Sequence, residues 1–478
     1  MKLTRREFAR LSGLAAAGLG AADLSWAFPQ NAATRSSSGK RVVVLGAGMA
    51  GLVAGWELRK AGHDVTILEA QLHPGGRVHT IREGLSDYLY AEAGAGRIPE
   101  THSVTMEWVD YFRLELEPFY PSDGAEVAVL KGKRVKIPAN GPLDMSQVPL
   151  NLTVDERKLG LGSLFAHYCS EILRKEGDHI REDWPPEIVR LEDITIADYL
   201  RQRGASEDAI HYMLIGFDDN AAADYLKDFL NEHAPLNKIK GGNDQLPRAF
   251  AAELKDIIRY GCAVEHIERG ESRVRISCRR AGTLDQLDAD AVVCTIPYSV
   301  LRHIPVTPEW SPAKRKVIDS TYYGPCVRTT FQVSRRYWED EGMNGFGTSD
   351  KNFEVWHPTY GKPGRRGLLQ AYNYERYADH LDQLGEADRI EQEIRDMEEV
   401  HPGLRTHLEG LVVKSWALDP WQRGAYTLYN VGQLEFYADI CRPEGQIWFA
   451  GEHASPYPGW IQGALMSGIK AAKEINAT

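Results

Sequence analysis

The feature that most constrains the fold is a glycine-rich turn between two apolar segments near the start of the chain. Arg41–Leu45 is a continuous apolar run, typical of a parallel strand that is buried on both faces. A GxGxxG motif follows at once, then residues with helical spacing, then a second apolar run, Asp64–Leu68, that ends at Glu69. The glycines of the motif are Gly46, Gly48 and Gly51. This strand–helix–strand order predicts an α/β chain with a Rossmann-like dinucleotide-binding domain.

Each part of this motif has its own expected role at a dinucleotide. Gly46 permits the tight turn, Gly48 lets the backbone approach the pyrophosphate, and Gly51 lets the helix pack closely on the strand. The helix N-terminus offers N–H groups and the positive end of its dipole to the phosphates. Glu69 is expected to accept hydrogen bonds from the adenosine ribose. The motif alone leaves both NAD and FAD open.

The composition excludes several classes of protein. Of the 478 residues, 43% are hydrophobic and 26% charged, an ordinary globular balance for a chain of two or three domains. The 67 acidic and 56 basic residues give a net charge of -11, which argues against general nucleic-acid binding. The six cysteines have no metal-ligand spacing, so we expect no metal site. No apolar run reaches the roughly 18 residues of a membrane span, so we expect none.

Residues 1–27 have the layout of an export signal rather than of a folded element. A basic start precedes Leu11–Gly20, a short apolar run, and a small-x-small cleavage site follows. Arg5 and Arg6 add the twin-arginine pattern of the Tat pathway. We therefore expect export through the Tat machinery to the periplasm or out of the cell, with residues 28–39 as a flexible leader.

Two further segments indicate the family that the chain resembles. Gly75-Gly76-Arg77 comes shortly after the acid at the end of the second strand, and near the other end Gly451-Glu452 precedes Pro458–Ala464. They resemble the GGR and FAGE…GW(I)xGA motifs of flavin-containing amine oxidases, which bind FAD. The resemblance implies that Arg77 pairs with the pyrophosphate and that Glu452 holds the ribityl chain. It implies a cofactor-binding set of Gly46, Gly48, Gly51, Glu69, Gly76, Arg77, Gly94, Ala95, Gly96, Arg97, Val264, Gly451, Glu452, Trp460, Ile461 and Ala464.

Arg97 points to one branch of this family. The segment Glu92–Pro99 is similar to the GxxRxP segment of L-amino-acid oxidases, in which the corresponding arginine grips the substrate carboxylate. A planar guanidinium matches a carboxylate in bidentate fashion, so the residue type suits that role. An Arg97 bound to a phosphate or to a structural carboxylate is the alternative.

The resemblance implies oxidative deamination of an L-amino acid. A hydride passes from Cα to flavin N5, water hydrolyses the imino acid to a 2-oxo acid and ammonia, and dioxygen reoxidises the flavin and yields hydrogen peroxide. Tyr426 and Trp460 match the two walls of the family's aromatic cage, and the Gly459 carbonyl would accept a hydrogen bond from the substrate amine. Trp356 and His357 match a region that faces the carboxylate in some relatives. Plain core packing is the alternative for the aromatic residues.

Some positions distinguish this chain within the family. Many relatives place a Lys beside flavin N5, and Arg328 falls on that position. Either Arg328 substitutes there, or it points elsewhere and the site handles oxygen differently, because Arg is bulkier and not readily deprotonated. Ala425 stands where some monoamine oxidases carry the Cys that attaches flavin, so the FAD is expected to be non-covalent. An acidic wall from Asp218 or Asp219 would select Lys or Arg as substrate.

Other functions stay open at this point. A primary-amine or polyamine oxidase would share every motif except the function of Arg97. An amine dehydrogenase would pass its electrons to an acceptor other than oxygen. A flavin-bound partner or chaperone subunit without turnover would keep the fold and lose the cage. The sequence also leaves open whether the protein forms a homodimer.

The motifs divide the chain into one discontinuous domain and two excursions. The FAD-binding domain comprises residues 40–100, 240–300 and 425–478. Residues 101–239 are expected to be the mostly helical part of the substrate domain, and residues 300–424 to mix strands and helices into an α+β substrate-binding domain over the flavin. Residues 390–400 predict an amphipathic helix whose acids form a solvated face.

Overall fold

The computed structural model describes residues 39–176, 186–232, 234–351, 353–433 and 437–478. The predicted signal peptide and all of the predicted leader except Gly39 lie outside these residues. The strands are β1 Arg41–Leu45, β2 Asp64–Glu69, β3 Thr80–Ile81, β4 Ala91–Glu92, β5 Ile98–Pro99, β6 Leu116–Pro118, β7 Ala125–Leu130, β8 Lys133–Ile137, β9 Leu236–Ile239, β10 Ile258–Tyr260, β11 Cys262–Arg269, β12 Val274–Arg280, β13 Thr283–Ala289, β14 Ala291–Cys294, β15 Val306–Thr307, β16 Tyr323–Gly324, β17 Cys326–Val333, β18 Met343–Ser349, β19 Phe353–Trp356, β20 Gly367–Tyr374, β21 Leu408–Ser415, β22 Tyr426–Thr427 and β23 Ile447–Phe449.

Helices alternate with these strands along the chain. They are α1 Met49–Lys60, α2 Ser103–Tyr111, α3 Val154–Leu159, α4 Leu164–Glu176, α5 Pro186–Val189, α6 Ile196–Gln202, α7 Glu207–Leu214, α8 Ala222–Glu232, α9 Gln245–Glu253, α10 Tyr298–Leu301, α11 Pro312–Ser320, α12 Glu375–Gln383, α13 Glu386–Val400, α14 Leu404–His407, α15 Tyr437–Ile440 and α16 Ile461–Ala477. Among the described residues, no helix is long and apolar enough to cross a membrane.

A five-stranded parallel sheet forms the centre of the first layer. Its order is β10-β2-β1-β14-β23, so strands from widely separated parts of the chain lie side by side. Strand β1 pairs with β2 in parallel, and α1 connects them. Helices α1 and α16 pack against each other on this sheet, and α16 begins at Ile461, within the Pro458–Ala464 motif. The finer domain boundaries stay a prediction.

A seven-stranded sheet forms the centre of the second layer, in the order β21-β17-β20-β19-β18-β7-β8. Every residue of β17 and β20 is buried, as expected for central strands covered on both faces. The hairpin β7–β8 comes from the excursion that was predicted to be mostly helical, and β7 pairs in parallel with β18. The sequence gives no local signal for the pairing of β7 with β18, because these strands lie far apart in the chain.

Helices α4 to α8 build a smaller core of their own. Its fully buried side chains include Cys169, Leu200 and Leu226.

One further expectation, a solvated acidic face on α13, is wrong for Glu393 and Asp396, which are 2% and 3% exposed. Glu393 accepts hydrogen bonds from Thr329 and Asn373 of the seven-stranded sheet, so buried polar groups of the sheet explain its position.

Candidate active site

A cavity of about 1190 Å³ lies where the parallel strands of the first sheet end. Residues that follow β1, β2, β14 and β23 line one part of it, and residues from the seven-stranded sheet and α8 line another. Ligands of open α/β sheets bind at this carboxyl edge. Of the predicted cofactor-binding set, the cage residues and Arg328, all except Gly51 line the cavity: Gly46, Gly48, Glu69, Gly76, Arg77, Gly94, Ala95, Gly96, Arg97, Val264, Arg328, Tyr426, Gly451, Glu452, Gly459, Trp460, Ile461 and Ala464.

The glycine-rich turn has the geometry that its spacing predicts. Gly46 has a φ of +105°, in the region that favours glycine, so the tight turn depends on it. A Cβ on Gly51 would lie 2.0 Å from the Gly46 carbonyl oxygen, so this glycine packs helix against turn and does not line the cavity. A Cβ on Gly48 would meet no atom of the described residues within 4 Å. The open side of Gly48 is where a pyrophosphate can approach the backbone.

Glu69 anchors the end of the cavity beside this turn. Its two carboxylate oxygens accept hydrogen bonds from the backbone N–H of Ala47 at 2.7 Å and of Gln71 at 2.8 Å. Burial raises the pKa of Glu69, and these two N–H groups oppose that shift. A carboxylate has further lone pairs, so Glu69 can still accept hydrogen bonds from a ribose. Val264 lines the same cavity, as expected of a strand residue that meets an adenine.

Arg77 and Glu452 form an ion pair in the middle of the cavity. Arg77 Nη1 lies 2.6 Å from Glu452 Oε1 and donates to the Ala425 carbonyl at 3.0 Å. Burial tends to raise the pKa of Glu452, but Arg77 and the Gly459 N–H, which donates at 2.7 Å, hold it below its usual value. Glu452 is therefore an ionised acceptor that faces the cavity and can bind the hydroxyl groups of a ribityl chain.

This set of residues fits FAD rather than a mononucleotide. Acceptors for a ribose, an open glycine backbone and the N-terminus of α1 lie at one end, and Glu452 and the N-terminus of α16 lie further along the same cavity. The two helix N-termini suit the negative charge of the pyrophosphate and of a flavin pyrimidine carbonyl. Among the described residues, no group of His, Cys, Asp and Glu could hold a metal ion.

Aromatic side chains enclose the other end of the cavity. Tyr426 and Trp460 both line it, and Gly459 lies between them with a φ of +79°. The Tyr426 hydroxyl lies 2.7 Å from that of Tyr372. The Trp460 indole N–H donates to Asp228 Oδ1 at 2.6 Å. These hydrogen bonds hold both rings in place, which is what a substrate cage requires.

Arg97 extends into this aromatic end. Its side chain is 11% exposed, and Nη1 lies 3.8 Å from Glu354 Oε2. The guanidinium carbon lies 5.3 Å from the centre of the Trp356 ring, while Gly96 packs so closely on that ring that a Cβ would lie 2.8 Å from it. Arg97 is thus a positive charge held at the wall of the cavity, with a carboxylate near it but outside direct hydrogen-bond distance.

Arg328 lies against the same indole. Its guanidinium carbon is 4.1 Å from the centre of the Trp356 ring and 3.9 Å from that of Tyr372, so the cation contacts both rings. In the described part of the chain, its Nε and Nη1 are buried and have no hydrogen-bond partner. Unpaired buried donors are costly, so these atoms suit a ligand, a water molecule or an anion in the cavity.

Two other expectations about the site are corrected. His357 does not line the cavity: its ring lies 4.8 Å from that of Trp338, and burial lowers its pKa to about 3. Neither Asp218 nor Asp219 lines the cavity, and Asp219 forms an exposed ion pair with Arg376 at 2.6 Å. No sequence motif had supported the expected roles of His357, Asp218 and Asp219.

Sequence reasoning missed several acids that line the cavity, among them Asp224 and Asp228 on α8. It also missed Tyr372 and Tyr374 at the end of β20 and Phe217 before α8. The amphipathic pattern of α8 contained no motif that distinguishes a cavity face from a core face. The hydrogen bond from Trp460 to Asp228 links this helix to the aromatic end of the cavity.

Comparisons with known proteins agree on one family. The flavin containing amine oxidoreductase family matches residues 49–476. Among curated proteins, the chain is 31% identical to a putative L-amino-acid oxidase, YobN, of Bacillus subtilis over 94% of this chain and 97% of that protein. It is 30% identical to the flavin-dependent L-tryptophan oxidase RebO of Lentzea aerocolonigenes, over 92% of this chain and 98% of that protein.

Solved structures share the fold at lower identity. Putrescine oxidase bound to putrescine has a TM-score of 0.78 and 20% identity, over 92% of this chain and 100% of that chain. Cyclohexylamine oxidase from Brevibacterium oxydans has a TM-score of 0.77 and 19% identity, over 92% and 99% of the two chains. These structures support a mixed α/β fold like that of flavin amine oxidases.

Proposed function

The chain belongs to the family of flavin-containing amine oxidoreductases, and on that premise we propose that it oxidises L-amino acids to 2-oxo acids, with ammonia and hydrogen peroxide as the other products. The observation that carries the proposal is Arg97, whose side chain lines the same cavity as the cage residues Tyr426 and Trp460. A fixed cation beside an amine-binding cage suits a substrate that has both an amine and a carboxylate. The names of the two curated relatives support the same substrate class.

Each residue of the site would have a separate role in this reaction. Arg97 binds the α-carboxylate, and the Gly459 carbonyl accepts a hydrogen bond from the amine, which orients Cα. Tyr426 and Trp460 flank the reacting bond and exclude water. The chemistry that FAD would supply in this cavity is a two-electron oxidation of the Cα–N bond, with dioxygen as the final electron acceptor. Because the hydrogen leaves Cα of a neutral amine as a hydride, no side-chain base is required to remove it, and water then hydrolyses the imino acid.

We propose that the FAD is held without a covalent bond. Ala425 precedes the cage residue Tyr426, and an alanine side chain has no thiol to form a thioether. The Ala425 carbonyl instead accepts a hydrogen bond from Arg77.

Peroxide release with a panel of L-amino acids and their decarboxylated amines tests the function. We expect turnover with at least one L-amino acid and far less with its matching amine. Turnover with amines alone would reject the proposal.

The second candidate is an amine or polyamine oxidase. The specific observation in its favour is Glu354, which lies 3.8 Å from Arg97 and would leave Arg97 with a structural partner. The same panel separates the two candidates, because only a working carboxylate grip discriminates an amino acid from its amine.

A further inference from the structure

Helix α8 presents a carboxylate to the aromatic end of the cavity. Asp228 lines the cavity and is partly buried, and its Oδ1 accepts the hydrogen bond from the Trp460 indole. In the described part of the chain, this is the hydrogen bond that its carboxyl group makes. The second oxygen, Oδ2, is therefore available to a ligand.

The two acids of α8 have different partners. Burial, together with the smaller effect of the nearby Asp228 charge, raises the pKa of Asp224 to about 8, so Asp224 keeps its proton at neutral pH. Burial also raises the pKa of Asp228, and the Trp460 N–H and the positive charge of Arg97 oppose that rise. A cation bound beside Asp228 would favour its ionised form in the same way.

Three aromatic rings line the same cavity. Phe217 and Tyr374 stack with their centres 4.8 Å apart, and Tyr225, three residues before Asp228 on α8, lies 6.1 Å from Phe217. All three rings line the cavity. A carboxylate among aromatic faces is a setting that stabilises a cation through an ion pair and cation–π contacts. Lys227 does not neutralise it, because its ammonium lies over the Tyr457 ring, 5.4 Å from the centre.

Resting on the proposed function, we propose that Asp228 selects L-amino acids whose side chain ends in a cation, such as L-lysine, L-ornithine or L-arginine. Arg97 binds the α-carboxylate and Asp228 binds the side-chain cation, so the two charges of the protein meet the two opposite charges of the substrate. An apolar side chain would leave Asp228 desolvated and unpaired, which selects against such substrates.

The variant Asp228→Asn tests this role while it keeps the size of the side chain and an oxygen that can accept from Trp460. We expect the ratio of kcat/KM for L-lysine to kcat/KM for L-norleucine to fall about 10- to 150-fold, the range for a hydrogen bond to a charged group. Asp219→Asn is the matched control, because Asp219 lies in an exposed ion pair and does not line the cavity. For this variant, the ratio of the two kcat/KM values should equal that of the wild type.

A binding experiment separates this inference from the proposed reaction. 6-Aminohexanoate has the carboxylate and the distal cation of lysine but no α-amine, so it cannot be oxidised at Cα, and hexanoate lacks the cation as well. We expect 6-aminohexanoate to bind the holoenzyme more tightly than hexanoate by calorimetry, and Asp228→Asn to remove the difference. Equal binding of the two acids by the wild-type protein overturns the inference. Selective binding without turnover of any L-amino acid keeps the cation site and overturns the proposed reaction.

Discussion

Two guanidinium groups close to one indole dominate the site at the scale of single residues. Arg97 and Arg328 both lie near Trp356, with ring-to-cation distances of 5.3 and 4.1 Å. Arg97 has Glu354 nearby, whereas Arg328 has two buried donor atoms without a partner in the described part of the chain. Both charges are fixed before a ligand binds, so they can stabilise negative charge without reorganisation. Their different partners give the two arginines different expected roles.

Arg97→Ala should raise KM for L-amino acids far more than KM for the matching amines. Loss of a desolvated, charge-assisted pair costs about 2–5 kcal/mol. Steady-state kinetics on both substrate sets measures the difference, and Arg97→Lys, which keeps the charge without the planar fork, should lie between the wild type and Ala. An equal rise in KM for amino acids and for the matching amines would indicate that Arg97 has a structural role and does not bind the substrate carboxylate.

Arg328→Met should slow flavin reoxidation by oxygen more than flavin reduction by substrate. A positive charge near the flavin stabilises the anion formed from dioxygen, and Met removes that charge while it keeps an unbranched side chain. Stopped-flow absorbance measures the two half-reactions separately. If both are unchanged, Arg328 is not part of the oxygen chemistry, and a dehydrogenase with another electron acceptor becomes the better hypothesis.

Close contacts through glycine fix the helices at the scale of elements. A Cβ on Gly468 of α16 would lie 2.3 Å from the Ala50 carbonyl of α1, and one on Gly51 would lie 2.0 Å from the Gly46 carbonyl. These contacts set the positions of two helix N-termini that face the cavity. On the second sheet, α13 is fixed differently, by a buried acid. Its hydrogen bonds to β17 and β20 make this part of the fold sensitive to pH.

Glu393→Gln should make the stability of the protein less dependent on pH. Burial raises the pKa of Glu393 to about 7, so the folded protein keeps this proton to a higher pH than the unfolded chain does. Its contribution to the free energy of unfolding is therefore fully present below pH 4.5, the ordinary pKa of a glutamate, and is lost as the pH rises to about 7. Tm measured by circular dichroism from about pH 4.5 to about pH 8 should fall less in the variant.

Glu386→Gln is the control for this measurement. Glu386 lies in the first turn of the same helix and is exposed, so the substitution changes the same chemical group outside the core. Its Tm profile should follow that of the wild type. If Glu393→Gln follows the wild type as well, the buried proton does not affect stability.

At the scale of the whole molecule, the parts with local signals could be predicted and the parts made by distant packing could not. The turn at Gly46 and the start of α16 at Ile461 depend on short glycine motifs, so the sequence located them. The pairing of β7 with β18 and the position of Asp228 depend on elements that lie far apart in the chain. Motifs therefore predicted the cofactor half of the cavity more fully than the half that would receive the substrate side chain.

The assembly of this cavity also bears on how the protein would leave the cytoplasm. Glu69 and Trp460 line one cavity but lie at opposite ends of the sequence, so the FAD site exists only after the chain has folded. We therefore propose export of the folded, FAD-loaded protein, which is what the twin-arginine pattern at Arg5 and Arg6 predicts. Arg5→Lys together with Arg6→Lys should retain activity and flavin fluorescence in the cytoplasmic fraction, whereas Arg10→Lys, outside the pair, should leave export as in the wild type. Undiminished activity in the periplasm or medium of the double variant would show that export does not use this signal.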